Sequence, residues 1–170
     1  FACTHTADIS ADGTFTFDKQ TWGARLVGSS VSNPSPSFIG STLNGLFFYR
    51  DRLGLYSGES LIMSRAGLYF NFWSRTTTAV LDDDPIDVTV SHTKVSILKN
   101  VIPFNKTLLM FSDQTQFQLT AADKLTSKTV SSQVVTEFES TPKCSPVSLG
   151  SSVYFASDKG TASSIREYFV

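Results

Sequence analysis

The sequence predicts an all-β protein built of propeller-like blades of short antiparallel strands. The first observation is composition: the 170 residues include 14 phenylalanines, a content that suits half-buried pleated surfaces better than helices. The second is alternation, because apolar residues recur with period two in several short runs, such as residues 86–90. The third is a turn signal about every 8–12 residues, which is the spacing expected of all-β domains.

The N-terminal part is predicted to form a short, separate β segment. Asp12-Gly13 is a hairpin-turn dipeptide, and the four residues after it alternate between Thr and Phe. Residues 28–37 contain two prolines and no hydrophobic periodicity, which indicates a linker or an extended loop. A domain boundary is therefore expected near Asn33. Residues 1–32 would be the end of a preceding β domain plus linker, and residues 33–170 a propeller-like segment.

Internal repeats favour the blade architecture within residues 33–170. A layout of strand, polar turn and strand starts at Leu46, Leu108 and Val153. The last two starts are separated by about 45 residues, the length of one four-stranded propeller blade. The segment has room for about three blades, whereas a closed propeller needs about four to eight. A partial propeller is therefore expected, and a plain β-sandwich with similar hairpins remains the alternative.

Composition and charge argue against a membrane protein and against a nucleic-acid-binding module. Hydrophobic residues make up 41% of the chain and charged residues 17%, but no apolar run reaches the roughly 18 residues of a membrane span. Fourteen Lys and Arg residues against 15 Asp and Glu give a formal net charge of −1. The basic field that drives non-specific nucleic-acid binding is absent.

The sequence predicts no enzyme activity, no catalytic residue and no cofactor. It contains no Gly-x-Ser-x-Gly motif, and its only histidines are His5 and His92, so a Ser-His-Asp type of triad is not expected. Glu137 and Glu139 share one face of a predicted strand at 134–138 and could act as a carboxylate pair. Solvated strand edges carry such residues commonly, and we interpret them in that way.

No metal site is predicted either. Cys3 and Cys144 are too few for a disulfide framework and lack further ligands nearby in sequence, so both are expected to be reduced thiols that bind no metal. The acidic run 82–84 lacks the glycine and glutamate of a calcium loop and is interpreted as a solvated loop. The phenylalanines lie inside strand patterns, which favours core packing over a stacking platform for sugars or single-stranded nucleic acid.

Several ordered blocks resemble one family of viral proteins. In chain order they are NPSPSFIG at 33–40, FFYRDRLGLYSGE at 47–59, MSRAGLYFNF at 63–72, DPIDV at 84–88 and LLMFSDQTQF at 108–117. Together they are similar to tail tubular protein B of short-tailed bacteriophages, the family that forms the tail nozzle. The similarity extends from about Trp22 to the C-terminus. The chain is shorter than such proteins usually are, so we expect an internal segment.

The resemblance implies a non-enzymatic structural protein of the virion. Copies of the chain, normally six, would form a ring that extends the DNA-ejection conduit and offers a docking surface for the adaptor protein and the tail fibres. Double-stranded DNA would pass without specific recognition, and a near-neutral wall would not retain it. The protein would be assembled in the cytoplasm of a bacterial host. The alternative is a carbohydrate-binding or cell-wall-degrading tail module.

Within the matched blocks, the resemblance implies residues that shape blades and turns. The predicted structural set is Arg52, Gly58, Gly67, Asn71, Phe72 and Asp113. Arg52 is expected to pair with Asp51 or to cap nearby carbonyl groups. The two glycines would permit tight turns, and Asn71 would close a turn through its side chain.

Overall fold

A computed structural model describes residues 5–169 of the chain, and this part consists of strands, turns and loops. The strands are β1 (His5–Ile9), β2 (Phe15–Lys19), β3 (Gly45–Tyr49), β4 (Arg52–Ser57), β5 (Ser60–Met63), β6 (Ile86–Thr89), β7 (Leu98–Phe104), β8 (Thr107–Ser112), β9 (Gln116–Ala121), β10 (Val130–Thr136), β11 (Val147–Leu149), β12 (Ser152–Asp158) and β13 (Ser163–Phe169). The all-β prediction is confirmed. None of the described segments is a helix that could cross a membrane.

The strands form four separate antiparallel sheets. The N-terminal hairpin pairs β1 with β2, the first sheet has the order β3-β4-β5-β6, the second β7-β8-β9-β10 and the third β11-β12-β13. In every sheet, neighbours in sequence are neighbours in space. Each sheet is therefore a simple meander whose pairing depends on short local connections.

A two-residue turn joins the first and second strands of each of the three larger sheets. The turns are Arg50-Asp51, Asn105-Lys106 and Gly150-Ser151. The first residue of each turn has a positive φ, of 46°, 53° and 61° respectively. Turns of this backbone class match the right-handed twist of the strands that they connect. They mark equivalent positions in the three sheets.

These turns show that the predicted repeat is displaced by one strand in the first sheet. Leu108 and Val153 lie on the second strands of their sheets and are fully buried. Leu46 lies on the first strand, β3, and is 62% exposed. The true counterpart in the first sheet is β4, which begins at Arg52. An apolar run identifies a strand but carries no information about the strand's place in a sheet.

The three larger sheets stack face to face in chain order. In β8, Leu108 and Met110 pack against the first sheet, whereas Leu109 and Phe111 pack with Phe155 and other residues of the third sheet. Strand β8 of the second sheet is buried on both faces, which explains its continuous apolar run from Leu108 to Phe111. The first strands also lie side by side, β3 against β7 and β7 against β11. The sheets therefore fan out from their first strands.

The outer face of the first sheet is covered by loops and not by another sheet. Leu53, Leu55 and Ile62 pack there against an aromatic cap, which we define as Trp22, Phe38, Phe70 and Phe72. The ring centroids of Phe38 and Phe72 are 5.2 Å apart in an edge-on arrangement. The cap comes from residues 22–38 and 70–72, so chain segments on both sides of Asn33 contribute to one layer.

Candidate functional site

Arg52 is the largest polar group in the core and joins the first sheet to the second. It opens β4 and is only 2% exposed. Its Nη1 atom donates to the carbonyl oxygens of Ser64 and Asp84, both at 2.7 Å. Its Nη2 atom donates to the carbonyls of Asp82 at 2.9 Å and Leu125 at 3.3 Å. Because Leu125 lies in the loop between β9 and β10, the Arg52 guanidinium links the first sheet to a loop of the second by hydrogen bonds.

Burial and nearby carboxylates have opposite effects on the pKa of Arg52. Burial lowers the pKa of the Arg52 guanidinium, and the carboxylates of Asp83, Asp84 and Asp51 oppose that shift. The hydrogen bonds themselves go to neutral carbonyls. The side chain of Asp51 instead accepts a hydrogen bond of 2.8 Å from the Tyr69 hydroxyl. Arg52 thus satisfies backbone groups that would otherwise be buried without donors.

The acidic run 82–84 is built into the loop that Arg52 holds. Asp82 pairs with Lys124 at 2.6 Å, and Asp83 forms a salt bridge with Arg65. The Arg65 hydrogen bond lowers the pKa of Asp83. Asp84 is buried and accepts two hydrogen bonds from backbone N–H groups of its own loop. Asp84 is therefore buried, unlike the expected solvated loop, because N–H groups of its own loop satisfy its carboxylate.

The other predicted structural residues fall into two groups. Gly67, Asn71 and Phe72 lie in the 64–85 loop, which also holds three of the four carbonyls that Arg52 binds. Gly67 has a φ of 70° and donates its N–H to the Asp51 carbonyl at 2.9 Å. The Asn71 side-chain oxygen accepts the Trp73 N–H at 3.0 Å, which closes a turn beneath the aromatic cap.

Gly58 and Asp113 lie away from that loop, in turns between second and third strands. Gly58 has a φ of 56° in the turn from β4 to β5. Asp113 lies between β8 and β9, where its carbonyl accepts the N–H of Ser140 at 2.9 Å. The structure therefore does not gather the six residues into one site.

The titratable residues considered for chemistry lie apart from this region. Strand β10 ends at Thr136, so Glu137 lies beyond it. The Glu137 carboxylate is 3.7 Å from Lys94 Nζ in an exposed ion pair, and it also lies 3.6 Å from Nε2 of the largely buried His92 ring. Cys144 is an exposed free thiol, and Cys3 lies outside the described residues. Within residues 5–169, no cluster of three or more His, Cys, Asp or Glu could hold a metal ion.

Exposed apolar side chains define three surfaces that the sequence does not distinguish from core. Their members are Ile9, Phe15 and Phe17 on the N-terminal hairpin, Leu46 and Phe48 on β3, and Val147, Leu149, Ile165 and Phe169 on the third sheet. All of them lie in strands, and those of one strand are an even number of residues apart, so they share a face. Contiguous apolar patches of this kind mark interaction surfaces.

A pocket of about 400 Å³ opens beside the aromatic cap. Besides cap residues it is lined by Arg25, Ile39 and Trp73, among others, and of the described residues that line it Arg25 alone is charged. The Arg25 guanidinium donates to the Asn33 carbonyl at 3.2 Å and lies 5.3 Å from the centroid of the Trp73 ring. Two contacts therefore orient this cation. The sequence carries no signal for the pocket, because its walls come from two loops distant in sequence.

Comparison with known proteins points to one family. Residues 5–170 match the family model described as bacteriophage nozzle protein. The chain is also 44% identical, over 165 residues, to tail tubular protein gp12 of Escherichia phage T7. That alignment covers 97% of this chain and 21% of the relative, so the chain spans about a fifth of the curated relative's length. The chain belongs to the bacteriophage nozzle protein family.

Proposed function

We propose that this chain is a structural segment of a phage tail nozzle, a virion component that forms part of the DNA-ejection conduit. The observation that carries this proposal is the stack of three antiparallel meanders in a chain of the nozzle family. Copies of the protein form a ring, normally of six, which contacts the adaptor protein and the tail fibres. Assembly takes place in the cytoplasm of the bacterial host.

The sheets act as blades of a partial propeller in this proposal. Their fan-like arrangement from β3, β7 and β11 supports it, because propeller blades diverge from their innermost strands in this way. The third sheet leaves Val147, Leu149, Ile165 and Phe169 exposed on its outer face. A further sheet packed there would continue the stack. The division into residues 1–32 and 33–170 remains a prediction.

The protein's role is mechanical and not enzymatic. The family match favours a structural tail component over a carbohydrate-binding or cell-wall-degrading module. A chain with a formal net charge of −1 suits a conduit, since few counterions would be released when a duplex passes. DNA is accordingly a passing cargo without sequence-specific contacts.

Electron microscopy of phage particles tests this proposal directly. An antibody to this chain is expected to label the tail below the portal, and image averaging is expected to show a closed ring of copies. Labelling of the capsid shell or of fibre tips alone would overturn the proposal. In parallel, purified protein incubated with peptidoglycan and host polysaccharide is expected to release no product. Turnover abolished by Glu137→Gln would instead establish the enzymatic alternative.

A further inference from the structure

The N-terminal hairpin has an apolar face that the described chain leaves uncovered. Ile9 pairs with Phe15, and Ala7 with Phe17, so these four side chains share one face. Phe17 is 70% exposed. Within residues 5–169 the two strands pair with each other and with no other strand. Because an isolated two-stranded hairpin is marginally stable in water, this one requires a packing partner.

The aromatic pocket offers a surface of matching chemistry. Its walls include both tryptophans of the sequence, Trp22 and Trp73, together with cap phenylalanines. A phenylalanine that enters would meet aromatic rings at the edge-on distances that such rings prefer. The pocket has few polar groups, which disfavours a sugar. Asp12, in the turn of the hairpin, is opposite in charge to Arg25 at the pocket, whereas Asp8 lies on the hairpin face opposite to the phenylalanines.

We propose that the hairpin of one copy docks, by its apolar face, in the aromatic pocket of a neighbouring copy. Only two residues separate the end of the hairpin at Lys19 from Trp22 in the pocket wall. The Gly23 N–H donates to the Phe70 carbonyl at 2.8 Å and anchors the chain there. The hairpin therefore directly precedes the pocket wall of its own chain, and its apolar face is exposed. A contact between two different surfaces of the same chain is head-to-tail, and repetition of such contacts closes rings.

The size of the contact sets its strength. Two phenylalanines and one isoleucine would bury about 150–200 Å² each, which is well below the area of an independently stable interface. Free chains should therefore associate weakly. Within a ring, where neighbours are held at a high effective concentration, the same contact becomes substantial. The inference thus rests on the proposed ring.

A peptide titration measures docking in solution. The acceptor is the 170-residue chain with Phe15→Ser and Phe17→Ser, whose own hairpin no longer competes. The probe is a synthetic peptide of residues 5–19, and the readout is fluorescence of Trp22 and Trp73. We expect a saturable change, and about tenfold or more weaker binding by a peptide with Phe17→Ser. Equal responses to both peptides, or none, would overturn the inference.

Cross-linking shows whether docking occurs between copies. In a Cys3→Ser/Cys144→Ser background, a Phe17→Cys copy is mixed with an Ile39→Cys copy, because Ile39 lines the pocket. The control copy carries Val95→Cys, at an apolar position outside the pocket that is 83% exposed, more than the 50% of Ile39. We expect a disulfide-linked heterodimer with Ile39→Cys and much less with Val95→Cys. Equal yields, or a link within one chain of the double variant at high dilution, would contradict the inference.

Assembly of phage tails distinguishes failure of the docking inference from failure of the proposed function. Phage carrying Phe15→Ser and Phe17→Ser should have fewer intact tails, with the protein folded but unassembled. If wild-type protein is found in the tail and the double variant assembles equally well, the docking inference fails and the proposed function survives. If the hairpin peptide captures the adaptor or a fibre protein and not this chain, those proteins are the partner and the docking inference fails. Absence of wild-type protein from the tail would overturn the proposed function.

Discussion

Replacement of Arg52 by methionine should destabilise the chain more than substitutions of exposed residues. Methionine has a similar length and fills much of the same space, but it cannot donate hydrogen bonds. The carbonyls of Ser64, Asp82, Asp84 and Leu125 would then lose the donor at distances of 2.7–3.3 Å. The loop 64–85 and the contact between the first and second sheets should both loosen.

The magnitude follows from the number of acceptors left without a donor. A buried polar group that loses its partner costs about 1–3 kcal/mol, and relaxation of the loop towards water recovers part of the total. Summed over the four carbonyls and reduced by that relaxation, we expect the free energy of unfolding to fall by about 3–5 kcal/mol. For a chain of this size, the melting temperature should fall by roughly 6–20 °C.

Urea denaturation followed by circular dichroism and tryptophan fluorescence provides the assay. Arg50→Met is the matched control, because Arg50 lies in the adjoining turn, is exposed and donates one hydrogen bond of 3.2 Å. That variant should change stability by less than about 0.5 kcal/mol. Arg52→Lys should lose most of the same stability, since an ammonium cannot reproduce the planar fork. Equal stability of the two methionine variants would refute the role assigned to Arg52.

Three further predictions concern pH, packing and the exposed faces. The lowered pKa of Asp83 means that its salt bridge with Arg65 contributes stability above the ordinary pKa of 3.8, and that this stability is lost as pH falls through the lowered value. Arg65→Gln should therefore flatten the acid limb of a pH-stability curve, and an unchanged limb would contradict this. Gly54→Ala should cost about 1–3 kcal/mol in urea denaturation, because a Cβ there would approach the Phe47 ring to 2.0 Å; unaltered stability would show that the ring moves freely. Ile165→Ser should leave the melting temperature within a few degrees and reduce light scattering at high concentration, since Ile165 is 80% exposed; strong destabilisation would show that it is core.

Local patterns in the sequence determined the strand content and the antiparallel meanders. Alternation and turn residues act over a few positions, so the hairpin around Asp12-Gly13 and the pairs β3-β4 and β12-β13 follow from short windows. The ordered blocks also carried the family resemblance, because their identity and order do not depend on knowing the fold. Tight turns at Gly58 and Gly67 belong to the same class of local information.

Only the tertiary structure decided which faces are covered and which groups meet. Phe15 and Phe17 in β2 alternate just as buried residues do, yet they are exposed, because coverage depends on elements that a short window does not contain. Arg52 binds carbonyl groups, which every residue possesses, so no side-chain pattern identifies Asp82 or Leu125 as its partners. Alternation reports that a strand has two different faces, and long-range packing alone determines what each face contacts.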